Sequence, residues 1–246
     1  MYDIQGLQCF IKIYGKGKPV ILLHGWGQTY SFWESIVPLL SREYQVFVLD
    51  LPGFGYSQEP GTIWLIKDYA TFLHSFVQYF KLFSPIIIGH SFGGRIAAYY
   101  TSEFPVAKLI LYSASGLGGV SMSTHFYMIV VKLLKYIFPN QLYSFQSWIF
   151  KPEQYKNKNI VSTKRSKLML EIYLNHYEKL EETYKKIKTP TLLIYGERDY
   201  IVKPEVGKRI QGLIGNSQIT LIPNATHFSH IENPGIFIES MNYFLQ

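Results

Sequence analysis

Six short apolar runs, rich in β-branched residues, set the tightest limit on what this chain can fold into. They lie at residues 20–23, 46–49, 86–88, 109–112, 192–195 and 219–222. Each is continuous rather than alternating, as expected of strands buried on both faces in a parallel sheet covered by helices. Helical patterns separate them. Residues 64–80 place Leu65, Tyr69, Phe72, Phe76 and Phe80 three or four apart on one face. Residues 93–101 read as helix, and Asn233-Pro234 reads as an N-cap with Pro in the first turn of a terminal helix over 236–245. Alternating strands and helices predict an open, mostly parallel α/β sheet.

The alternation breaks once. About 75 residues with helical character and no convincing strand lie between the runs ending near Ser113 and beginning near Thr191. We therefore expect a core domain made of residues 1–119 and 187–246, with residues 120–186 forming a helical cap over the sheet. Ligands of open α/β sheets bind beyond the carboxyl ends of the strands, where such an insertion would act as a lid. At 246 residues, with 48% hydrophobic content, the chain has enough apolar surface for one substantial core.

The run at 86–88 leads directly into Gly89-His90-Ser91-Phe92-Gly93 and then into a helical pattern. Strand, sharp turn and helix are the setting of a Gly-x-Ser-x-Gly nucleophile elbow, which makes Ser91 the candidate nucleophile. A serine hydroxyl needs a base, and the base needs an orienting acid. Of seven histidines, only His227 and His230 lie in the loop after the last strand. His227, nearer the strand end, is preferred as the base, and His230 is expected to pack beside the terminal helix. Asp199 follows the run at 192–195 and precedes His227, giving the order Ser, Asp, His. Glu197 is its local competitor and is expected to form a surface ion pair with Arg198 or Lys203. No acid occurs in Ser113-Ala114-Ser115-Gly116, the other place it could stand. An oxyanion needs two backbone N–H donors, for which Phe92 and Trp26 in His24-Gly25-Trp26-Gly27 are the candidates, with His24 fixing the loop.

Together these motifs resemble the α/β-hydrolase superfamily almost end to end: 24–27, 50–57 (Asp-Leu-Pro-Gly-Phe-Gly-Tyr-Ser), 89–94, 196–199 and 225–227 occur in the family's order. The resemblance implies an α/β-hydrolase fold with a mostly parallel eight-stranded sheet flanked by helices, a helical cap, and hydrolysis without a cofactor or metal. It also implies a structural rather than catalytic role for the Asp50 segment. Serine at 91 separates the chain from the haloalkane dehalogenase and epoxide hydrolase branches, which use aspartate. Trp26 and the short cap resemble small carboxylesterases and the pimeloyl-carrier-protein methyl esterases, although His90 stands where some of those enzymes have Trp. The expected activity is cleavage of a carboxylic ester of a small-molecule acyl group through an acyl-enzyme. A thioesterase or acyltransferase, a carbon–carbon hydrolase, and a non-catalytic binding protein are the alternatives.

The lone Cys9 excludes a disulfide framework or a Cys-rich metal site, and it suits a core position. The net charge of +7 is concentrated in residues 120–186, which carry eleven Lys or Arg against five acids. A solvated helical surface is the preferred account, with an acidic carrier protein as the alternative partner. No nucleic-acid motif accompanies this charge. No secretory segment or apolar run of spanning length is evident, so a cytoplasmic enzyme without membrane insertion is expected.

Overall fold

The computed structural model describes residues 1–117 and 178–246. The predicted cap, 120–186, therefore lies mostly outside the described residues.

All six apolar runs are strands. In chain order the strands are β1 Tyr2–Ile4, β2 Leu7–Cys9, β3 Ile11–Tyr14, β4 Lys18–Leu23, β5 Tyr44–Leu49, β6 Ile86–His90, β7 Lys108–Tyr112, β8 Thr191–Gly196 and β9 Ser217–Ile222. Seven of them form one sheet in the order β3-β5-β4-β6-β7-β8-β9, and every pairing is parallel except β3 with β5. Seven strands of the expected eight-stranded sheet lie among the described residues. Residues 7–14 form two strands: β2 pairs with β1 in a separate antiparallel hairpin, and only β3 joins the main sheet.

Each continuous apolar run serves two layers at once, because alternate residues of a strand point to opposite faces. On β4, Ile21 and Leu23 enter one core with Phe47, Leu49 and Leu109, while Val20 and Leu22 enter the other with Val46, Val48 and Ile110. The first core is covered by α2 (Ile66–Tyr79), α3 (Phe92–Glu103), α4 (Glu181–Lys186) and α5 (Pro204–Leu213), which contribute Tyr69, Ile96, Tyr184 and Ile210. The second is covered by α1 (Val37–Leu40) and the terminal helix α7 (Pro234–Leu245), with α6 (Ser229–Glu232) just before it. Helix α4 closes the segment assigned to the insertion, yet Leu180, Tyr184 and Ile187 are buried in the core.

Helix boundaries differ from expectation in instructive ways. Leu65 is exposed and precedes α2, and its amide donates to the Asp68 carboxylate at 2.7 Å, so Asp68 rather than an apolar face fixes the helix start. Asn233 makes no side-chain cap on α7; its carbonyl accepts the Phe237 N–H at 3.2 Å instead. Among the described residues no helix is long and apolar enough to cross a membrane.

Candidate active site

Four loops carry the sequence-predicted site residues, and all four leave the carboxyl ends of parallel strands. The first is the turn between β6 and α3. Ser91 there adopts φ 49° and ψ −109°, a region that side chains other than glycine rarely occupy. The turn is held because the Ser91 N–H donates to the Tyr112 carbonyl at 2.8 Å, while its own carbonyl accepts the Arg95 N–H at 3.2 Å. The flanking glycines have no room for a side chain. A Cβ on Gly89 would strike the backbone of Gly93 and Gly94, and one on Gly93 would strike the carbonyls of Leu23 and His24. Ser91 is half-buried at the positive end of α3.

Asp199 and His227, 28 residues apart in the chain, meet after β8 and β9: His227 Nδ1 lies 2.7 Å from Asp199 Oδ2, and both residues are buried. The other carboxylate oxygen accepts the N–H groups of Ile201 at 2.9 Å and Val202 at 2.8 Å, which fixes the orientation of the carboxylate. An oxygen beside Nδ1 holds the ring proton there and leaves the Nε2 lone pair as the basic position.

The competitors for these positions are accounted for. His230 Nε2 donates to the Phe32 carbonyl at 3.0 Å, and its Nδ1 lies 3.0 Å from the Tyr112 hydroxyl, so both ring nitrogens are engaged in the interior. Burial lowers its pKa to about 4. Glu197 accepts the Asn224 N–H at 3.2 Å, bracing a turn in place of the expected ion pair with Arg198 or Lys203. Ser113, at the alternative acid position, is buried at the end of β7.

The loop after β4 is held as expected by His24. Its Nδ1 donates to the Gly25 carbonyl at 2.8 Å, and its Nε2 accepts the Leu51 N–H at 3.0 Å. Burial lowers its pKa to about 4, in keeping with the neutral ring that this pattern requires. Trp26 on this loop packs edge-on against Phe92, with ring centroids 5.1 Å apart, so the two candidate oxyanion loops are neighbours. Asp50 is a brace. Its carboxylate accepts the Tyr30 N–H at 2.6 Å and the Tyr56 N–H at 2.8 Å, and burial raises its pKa to about 6.

Two residues that the sequence reading passed over join this network. Gln28 Oε1 accepts the Gly25 N–H at 2.7 Å and lies 3.0 Å from His90 Nδ1. The Tyr112 hydroxyl lies 3.0 Å from the His227 carbonyl. Their partners are 62 and 115 residues away in the chain, a separation that no local pattern signals.

The parallel sheet, the strained serine at its strand-to-helix turn and the carboxylate–imidazole pair define an α/β hydrolase, and a profile of the alpha/beta hydrolase fold matches residues 18–172. The chain belongs to that family. It is 27% identical to a pimeloyl-[acyl-carrier protein] methyl ester esterase of Wigglesworthia glossinidia brevipalpis, over 96% of this chain and 97% of the relative. It is also 27% identical to Lipase 1 of Psychrobacter immobilis, over 88% and 73% respectively. Among solved structures, an esterase from Exiguobacterium antarcticum superposes with a TM-score of 0.84 at 21% identity, covering 99% of this chain and 98% of that one.

Proposed function

We propose that the protein hydrolyses carboxylic esters of small-molecule acyl groups, with Ser91 as nucleophile, His227 as general base and Asp199 as the acid that orients it. The observation that carries this reading is the 2.7 Å contact between His227 Nδ1 and Asp199 Oδ2, with both groups shielded from solvent. It fixes the tautomer whose Nε2 can take a proton from a serine hydroxyl.

Ser91 Oγ attacks the ester carbonyl carbon as its proton passes to His227 Nε2. The backbone N–H groups of Phe92 and Trp26 stabilise the oxyanion, and the field of α3 adds to their effect. The tetrahedral intermediate collapses, the C–O bond to the alcohol breaks, and the imidazolium returns the proton to the departing alkoxide. Water, deprotonated by the same imidazole, then attacks the acyl-enzyme and releases the acid and free Ser91. Asp199 remains ionised throughout and stabilises the transient imidazolium.

The relatives named as an esterase and a lipase favour an ester over other acyl linkages. The test is a panel of p-nitrophenyl esters of graded chain length run beside acyl thioesters, with Ser91→Ala as the control. Ester turnover that disappears in the variant supports the reading. Full activity in folded Ser91→Ala would end it, and a preference for thioesters would reassign the leaving group.

A further inference from the structure

His90 precedes the nucleophile, and nothing in the mechanism above uses it. It is fully buried, yet its imidazole lies where the site loops converge. Its Nε2 donates to the backbone carbonyl of His227 at 3.1 Å. A carbonyl cannot donate, so that ring nitrogen must carry the proton. With that proton on Nε2, the opposite edge, Nδ1, faces Gln28 Oε1 at 3.0 Å acceptor to acceptor, so it meets the oxyanion loop as a steric contact rather than a hydrogen bond, while Oε1 accepts the Gly25 N–H. A Cβ on Gly25 would stand 2.7 Å from His90 Nδ1, so the glycine of the oxyanion loop is there because this ring occupies the space. The ring plane is set by stacking on Phe32 at 4.4 Å. The Tyr112 hydroxyl also reaches the His227 carbonyl, but its single proton is divided between that oxygen and His230 Nδ1, each at 3.0 Å.

We infer that His90 is a positioning residue: its Nε2–H holds the backbone of the base loop at His227, its Nδ1 edge fills the space against which Gly25 of the oxyanion loop packs, and the chain bond to Ser91 joins both to the nucleophile. The three loops are thereby registered on one flat, rigid ring. An aliphatic side chain would lack the donor, and a flexible amide would lack the stacked plane. The effect on chemistry is geometric. Displacing reacting groups by about 1 Å costs up to roughly 100-fold in rate.

This inference rests on the Ser91, His227 and Asp199 assignment, and the experiment separates the two. His90→Phe keeps an aromatic ring to stack on Phe32 and removes the donor. His90→Gln retains an N–H that can reach the carbonyl, and His90→Asn is too short to do so. Rates are expressed per active site labelled by a fluorophosphonate, so loss of folded protein does not count as loss of rate. We expect kcat in His90→Phe and His90→Asn to fall about 10- to 100-fold with KM little changed, and His90→Gln to recover much of the loss. Should His90→Phe fail to fold, the Asn and Gln pair carries the comparison. Wild-type kcat in folded His90→Phe or His90→Asn, or no recovery in His90→Gln, would overturn the inference while leaving the site assignment intact. Activity surviving in Ser91→Ala would instead remove the assignment itself.

Discussion

The Tyr112 hydroxyl and His230 Nδ1 lie 3.0 Å apart in the protein interior, and this contact separates the two histidines of the final loop by role. His230 is consumed by structure, with Phe32 holding its other nitrogen, whereas His227 has a carboxylate behind it.

His227→Ala should therefore abolish turnover to within background, while His230→Gln should spare turnover and act on stability. We expect His230→Gln to cost about 1–3 kcal/mol, the range for leaving a buried polar partner unsatisfied, and to keep kcat per labelled site within a few-fold. Urea denaturation and fluorophosphonate titration measure the two quantities separately.

Asp199→Asn offers a sharper test of the pair. The two amides of Ile201 and Val202 demand an acceptor, so the new side chain will place its carbonyl oxygen on them and its NH2 toward His227. Nδ1 would then have to accept, moving the ring proton to Nε2, where it blocks base function. A fall in kcat of about 10⁴-fold is expected, as for the equivalent change in a serine protease triad. A loss under tenfold on the ester panel would contradict the orientation described here.

The backbone at Ser91 makes an unusual forecast. At φ 49° a side chain is strained, and glycine is not. Ser91→Gly should be inactive yet more stable than Ser91→Ala by about 1 kcal/mol, the lower end of the cost of such a conformation. Paired thermal and urea melts of the two variants decide it.

Acid should weaken the fold. His24 and His230 have folded pKa values of about 4 against an ordinary 6.5, so the unfolded chain binds more protons between those limits. Stability is full above pH 6.5 and is lost as the pH falls toward 4, by about 3 kcal/mol per histidine. Asp50 works in the opposite sense, since its raised pKa of about 6 favours the folded state as it takes up a proton. One aspartate does not offset two histidines, and His90, lowered in the same direction by burial and by His227 and His230, adds to the loss. Urea midpoints measured from pH 7.5 to 4.5 should decline through that window.

The strands were legible because two-sided burial writes a continuous apolar run, and the strained turn at Ser91 because strand, Gly-x-Ser-x-Gly and helix occur together. Asp199 and His227 followed from loop order alone. Local signals failed where long-range pairing decides the outcome. Nothing in residues 7–14 marks Phe10 as the break where the chain passes from the hairpin to the main sheet. Likewise Leu65 kept its place in a helical repeat although Asp68 starts the helix one residue later. Gln28 and Tyr112 were invisible for the same reason, since a contact across 62 or 115 residues leaves no periodicity.

The order of strands across the sheet has a bearing on how the protein acquires activity. Ser91 leaves β6, while the carboxylate–imidazole pair waits on β8 and β9, the last strands of the sheet in chain order and at its far edge. Contacts between segments so distant in sequence form slowly. In refolding from denaturant, secondary structure should therefore return ahead of reactivity toward the fluorophosphonate. A chain stalled before its C-terminal edge docks would hold its serine without the base proposed for it.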